Sequence, residues 1–301
     1  MKNILAQSLI LILPLASVGF AEDSSENTEI ESLAQQNFGE EEDKSIDIAE
    51  GTEEADDCFA GRTDFINPGP YEVERKSMGG QTVYYPVGLP EGCLFPLASW
   101  GNGSGVFGTG TYAHFHRHLA SWGIFVAASS TPMAGSGYEI RRGVDILLEG
   151  EFSDQLNGKA GTFGHSQGGG GAINAASHEA VEAVVGIQSC TMASGDGFTK
   201  PGLYVTGTLD TCRFQVVGHY NQHSGPAYYA NYSGATHVST PTQAGDSSGS
   251  AGTKHYRRIS TAWFLCFLSE LKPACDLFNG GEEAPVGKDG NWAELRSKNL
   301  D

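Results

Sequence analysis

The sequence predicts an α/β fold in one domain, a mostly parallel central sheet flanked by helices, without a lid domain. Three observations predict it. Strand-like and helical runs alternate from Phe95 onward. With 39% hydrophobic and only 18% charged residues, the 301-residue chain can bury one sizeable core. No internal repeat recurs at periods of about 20–50 residues, which disfavours a solenoid or propeller.

Each element has its own warrant. Residues 71–75 and 81–87 are β-rich and suit an antiparallel edge. The run 95–100 is a strand entering a glycine-rich turn, followed by a helix through Ala120, a strand at 124–128, a helix at 138–148 and a strand at 160–163. A helix at 168–177, strands at 183–187 and 203–206 and a last strand near 227–232 continue the alternation. The closing helix, 253–271, spaces Ile259, Trp263, Phe267 and Leu271 four apart, an apolar stripe that faces a sheet. About a dozen residues separate Cys190 from the next strand, too few for a cap over the site.

Charge divides the chain differently. Lys and Arg number 18 against 36 Asp and Glu, a formal charge of −18 that disfavours a nucleic-acid surface. Residues 22–57 hold 15 of those acids and one Lys, a net of −14. That segment is too polar to offset the entropy of ordering it and reads as an acidic disordered spacer. Before it, residues 1–21 carry Lys2, an apolar run and the small pair Gly19 and Ala21, the pattern of a signal peptide cut after Ala21. That run falls short of the roughly 20 apolar residues a membrane span needs, and no run elsewhere in the chain is long enough. Residues 58–301 are then the folded domain of a secreted or periplasmic protein. Its six cysteines, Cys58, Cys93, Cys190, Cys212, Cys266 and Cys275, read as disulfides. Fifteen pairings are possible; order and neighbourhood favour Cys58–Cys93, Cys190–Cys212 and Cys266–Cys275.

Gly164-His165-Ser166-Gln167-Gly168 lies between a strand and a helix, the setting in which Gly-x-Ser-x-Gly lifts a nucleophile into the open. A serine hydroxyl needs a base, and the base an orienting acid, which follow the serine in the order acid, histidine. Asp210 closes the strand-like run Leu203-Tyr204-Val205-Thr206-Gly207-Thr208-Leu209, and His237 lies in a small-residue loop after the last strand. Glu182 and Asp196 are weaker candidates for the acid. An oxyanion needs two backbone donors: Gln167 N–H, and Asn102 N–H in the turn Gly101-Asn102-Gly103. Trp100 and His165, beside these groups, are candidate substrate contacts. Phosphate-loop and dinucleotide signatures are not completed by the glycine runs. His114 and His118 lack a third ligand and read as a surface-facing helix rather than a metal site. No cofactor or metal is called for.

These motifs, with Gly164 to Gly171 and Leu119 to Val126, make about residues 60–278 resemble the secreted α/β-hydrolase serine esterases that include bacterial cutinases, poly(ethylene terephthalate) hydrolases and dienelactone-hydrolase-like enzymes. The resemblance implies an α/β-hydrolase fold and an ester hydrolase with a Ser166-His237-Asp210 triad and no cofactor; a monomer is expected, and an open cleft without a lid suits a bulky or polymeric ester as well as a small soluble one. It also implies that Cys190–Cys212 links two catalytic loops and that Cys266–Cys275 is a C-terminal disulfide. The chain departs from those enzymes at Asn102, at Gln167 and at Thr191-Met192, where they commonly carry aromatic, methionine and tryptophan residues. A peptidase, a thioesterase or an inactive binding protein on the same fold are the alternatives.

Overall fold

The computed structural model describes residues 58–238, apart from 60 and 62, and 251–300, apart from 289. The expected signal peptide and acidic spacer, 1–21 and 22–57, lie outside the described residues. Among the described residues, nine strands form one mixed sheet in the order β1-β2-β4-β3-β5-β6-β7-β8-β9. They are β1 (Glu72–Met78), β2 (Gln81–Val87), β3 (Phe95–Gly101), β4 (Phe125–Ala128), β5 (Leu156–His165), β6 (Val181–Ile187), β7 (Gly202–Leu209), β8 (Ala227–Thr236) and β9 (Trp292–Lys298). From β4 to β8 the neighbours run parallel, while β1, β2 and β9 join antiparallel.

The helices are α1 (Ala113–Ser121), α2 (Tyr138–Leu148), α3 (Gln167–Ala175), α4 (Arg213–Gln222), α5 (Ala251–Ser269) and the short α6 (Lys272–Cys275). Strand alternation sorts the core between two faces. Ser99 and its register partner Thr162 point toward α2 and α3: a Cβ at Gly143 of α2 would come within 2.2 Å of Ser99 Oγ, and Thr162 Oγ1 donates to the carbonyl of Ala172. Trp100 and Phe163, one residue on, point the other way, where Phe115 of α1 and Phe264 of α5 pack on Phe163. In α2, Ile140, Gly143, Val144 and Leu147 are buried, the i, i+3, i+4, i+7 stripe of an amphipathic helix.

Three expectations are corrected. The strand at 227–232 is not the last, because β9 pairs with β8 along the sheet edge. Its sequence, Trp-Ala-Glu-Leu-Arg-Ser-Lys, is half-exposed and charged and offers no apolar run to signal a strand. The closing helix stops at Ser269, where Glu270 turns left-handed (φ 54°), so Leu271 is buried from a turn rather than on the helical stripe. Helix α1 does not simply face solvent, since His116 and His118 are both buried.

Among the described residues, no helix is long and apolar enough to cross a membrane. The sulfurs of Cys58 and Cys93, Cys190 and Cys212, and Cys266 and Cys275 lie at bonding distance.

Candidate active site

Parallel strands deliver their C-terminal ends to one edge of the sheet, and Ser166, Asp210 and His237 gather there. Ser166 sits between β5 and α3 with φ 56° and ψ −119°, a backbone conformation L side chains rarely adopt. The turn is held by Ser166 N–H donating to Ile187 O (3.0 Å) and by Gly169 and Cys190 N–H donating to Ser166 O (3.0 Å each). It also needs Gly168, since a Cβ there would lie 2.0 Å from the carbonyl oxygen of Gly101 and 2.7 Å from that of Asn102. The close approach of α3 to the end of β3 thus rests on a missing side chain.

From β7 comes Asp210 and from the end of β8 comes His237. Ser166 Oγ lies 2.9 Å from His237 Nε2, and His237 Nδ1 lies 2.8 Å from Asp210 Oδ1. Asp210 also accepts from Thr206 Oγ1 (2.6 Å) and Cys212 N–H (2.9 Å). Burial pushes the Asp210 carboxyl up, but His237, Thr206 and the Cys212 amide outweigh it and hold the group below the ordinary carboxylate range. An ionised Asp210 favours the tautomer with a proton on His237 Nδ1, leaving Nε2 free to accept from the Ser166 hydroxyl.

Asn102 and Gln167 flank Ser166. Gln167 is the first residue of α3, so its N–H has no intrahelical acceptor and belongs to the positive end of the helix dipole. The Asn102 side chain is fully buried: Oδ1 accepts from Trp100 Nε1 (2.8 Å), and Nδ2 donates to the carbonyls of Val106 (3.3 Å), Gly108 (2.9 Å) and Ser129 (3.0 Å). Those bonds fix the glycine-rich turn beside Ser166, whose Cβ lies within 3.3 Å of where a Gly103 Cβ would be.

The two expected substrate contacts are corrected. Trp100 is 0% exposed and packed among Tyr112, Phe115, His116 and Phe163, because it points with Ala98 to the α1/α5 face. His165 is also buried: its Nε2–H donates to His237 O (2.8 Å) and its Nδ1 accepts from the Tyr112 hydroxyl (2.9 Å). Burial pushes its pKa down to about 4, and burial pushes the Tyr112 phenol up to about 12, so both groups are neutral. Gln188, at φ 48°, donates from Nε2 to Thr236 O (2.6 Å). Gln188 and His165 thus hold successive carbonyls at the end of β8. No sequence spacing marks Tyr112, Gln188 or Thr206 for these tasks.

Competing polar residues go elsewhere. Glu182 pairs with Lys159 at 3.8 Å, and Asp196 opens a 3-10 turn. His178 meets Asp145 at 2.9 Å, and His118 Nε2 lies 3.0 Å from Phe65 O. Six large apolar residues, Phe107, Met133, Met192, Leu209, Phe214 and Val238, are exposed, and all lie at or beyond the C-terminal ends of β3, β4, β6, β7 and β8. No protein-family model matches the chain, and no curated protein matches it significantly.

Proposed function

We propose that this chain is an exported serine ester hydrolase of the α/β-hydrolase fold, akin to the cutinase and dienelactone-hydrolase-like esterases it resembles. The observation that carries the reading is the unbroken hydrogen-bonded chain from Ser166 Oγ through His237 to Asp210 Oδ1, set on a left-handed turn at a helix N-terminus. The strand order with a parallel centre and an antiparallel β2 supports the fold assignment. Cysteine pairs at bonding distance support an oxidising compartment.

In this mechanism His237 Nε2 takes the Ser166 proton as Oγ attacks the ester carbonyl. The Gln167 and Asn102 amides receive the developing oxyanion. His237 then protonates the departing alcohol, and water, activated by the same imidazole, releases the acyl group. Asp210 orients His237 and stabilises the imidazolium. The exposed apolar residues beyond the strand ends, Phe107, Met192 and Phe214 among them, favour a bulky or polymeric acyl ester over a small charged one.

The test is release of p-nitrophenol from short and long acyl esters by the purified chain beside Ser166→Ala. Turnover should fall about 10⁴-fold or more in the variant. Equal turnover by both proteins would refute the assignment, and a folded wild type cleaving only amide or thioester substrates would move it to a peptidase or thioesterase.

A further inference from the structure

We propose that Cys190, Cys212 and His237 form a zinc site when the Cys190–Cys212 bond is reduced, so that a thiophilic divalent cation captures the imidazole of the triad. The donor atoms of these three residues lie within 4.8 Å of one another, the one such His, Cys, Asp and Glu group among the described residues. Cys190 Sγ is 3.6 Å from His237 Nε2. Tetrahedral zinc, with Zn–S of about 2.3 Å and Zn–N of about 2.0–2.1 Å, spaces sulfur and nitrogen about 3.5–3.6 Å apart. Two thiolates balance the charge of the cation. Asp210 accepts the other ring N–H of His237 at 2.8 Å, the carboxylate partner that zinc-binding histidines characteristically have. Ser166 Oγ, 2.9 Å from Nε2, or water is at hand for the fourth position.

The bonded sulfurs cannot serve, because the thiolate is the ligand. Cys190 is half-buried and Cys212 buried, so a phosphine reductant reaches the Cys190 sulfur first. Phosphorus attacks that sulfur and the S–S bond breaks, releasing the Cys212 thiolate. Water then converts the thiophosphonium to phosphine oxide and the Cys190 thiol. Zinc displaces the thiol protons, two per ion. Backbone bonds from Cys190 N–H to Ser166 O and from Cys212 N–H to Asp210 Oδ1 tether both cysteines to the site while their side chains turn toward the metal. That the captured base stops turnover rests on the esterase reading; the binding does not.

The experiment titrates cobalt(II), then zinc(II), into the purified chain before and after reduction with tris(2-carboxyethyl)phosphine, following absorbance, with circular dichroism as the check on folding. Reduced wild type should take up one equivalent with a thiolate-to-cobalt charge-transfer band that zinc abolishes, and the oxidised chain should show none. The band should persist in Ser166→Ala, disappear in the Cys190→Ser/Cys212→Ser double variant, and need about 10–100-fold more metal in Asp210→Asn. Absence of the band in reduced wild type, its survival in the double variant, or unfolding on reduction overturns the proposal. Ester turnover by the oxidised chain, measured separately, reports on the esterase reading alone.

Discussion

The imidazole of His165 donates from Nε2 to the backbone carbonyl of His237 at 2.8 Å, while the two rings tilt against each other with centroids 4.9 Å apart. The residue before Ser166 thus holds the backbone of His237. Its tautomer is set from behind by Tyr112, whose hydroxyl supplies the proton that Nδ1 accepts.

Tyr112→Phe removes that donor and leaves a buried ring nitrogen unpaired. Unfolding free energy should drop by about 1–3 kcal/mol, and ester turnover should fall in kcat with KM nearly constant, because the defect is in the aim of His237 and not in substrate contact. His165→Phe should lower kcat about 10-fold or more by freeing the His237 carbonyl. Steady-state kinetics and urea melts on both variants check this; a change confined to KM would instead make His165 a substrate contact.

A second histidine makes stability depend on pH. His116 is fully buried between Tyr84, Trp100 and Phe163, neither ring nitrogen has a hydrogen-bond partner, and burial pushes its pKa down to about 3. In the unfolded chain both His116 and His165 take up a proton below about pH 6.5; in the folded chain they resist until about 3 and about 4. The unfolded state therefore binds more protons in that interval. Stability is at its full value above pH 6.5 and declines as the pH falls toward 4, by about 1.4 kcal/mol per unit for each histidine. His116→Leu keeps a comparable volume without the unpaired nitrogens. It should raise stability at pH 8 by about 1–3 kcal/mol and take about 1.4 kcal/mol per unit off the slope between pH 6.5 and 4.5 in urea unfolding, the rest remaining with His165, His219 and His223, whose pKa values burial also pushes down.

What the sequence revealed follows from how local each signal is. Ser166, Asp210 and His237 were legible because a strand-to-helix glycine motif, a strand end and a chain order each constrain residue type. Tyr112 and Gln188 act through pairs 53 and 48 residues apart in sequence, and no spacing rule encodes such a pair. Trp100 was misplaced although a signal existed: the two-residue period of β3 sets it on the same face as Ala98, beneath the helices and away from solvent. Strand β9 was missed because an exposed edge strand needs no continuous apolar run.

The side chain of Asn102 fixes the turn that carries its own backbone N–H. Asn102→Ala leaves the amide N–H in the chain but strips Trp100 Nε1 of its acceptor and the Val106, Gly108 and Ser129 carbonyls of their donor. The turn after β3 can then drift from the position facing Ser166. In the proposed mechanism, complete loss of one oxyanion donor costs about 10²–10³-fold in kcat, so a loosened donor should cost about 10–100-fold, with KM moving far less. Asn102→Asp should fare no better: its carboxylate can still accept from Trp100, yet it cannot donate to three carbonyls and would place a buried charge against them. Unfolding free energy should fall by about 1–3 kcal/mol in the alanine variant. Kinetics on p-nitrophenyl esters, paired with denaturant melts, separate the two effects. An unchanged kcat in a destabilised Asn102→Ala would move the second oxyanion donor away from this turn.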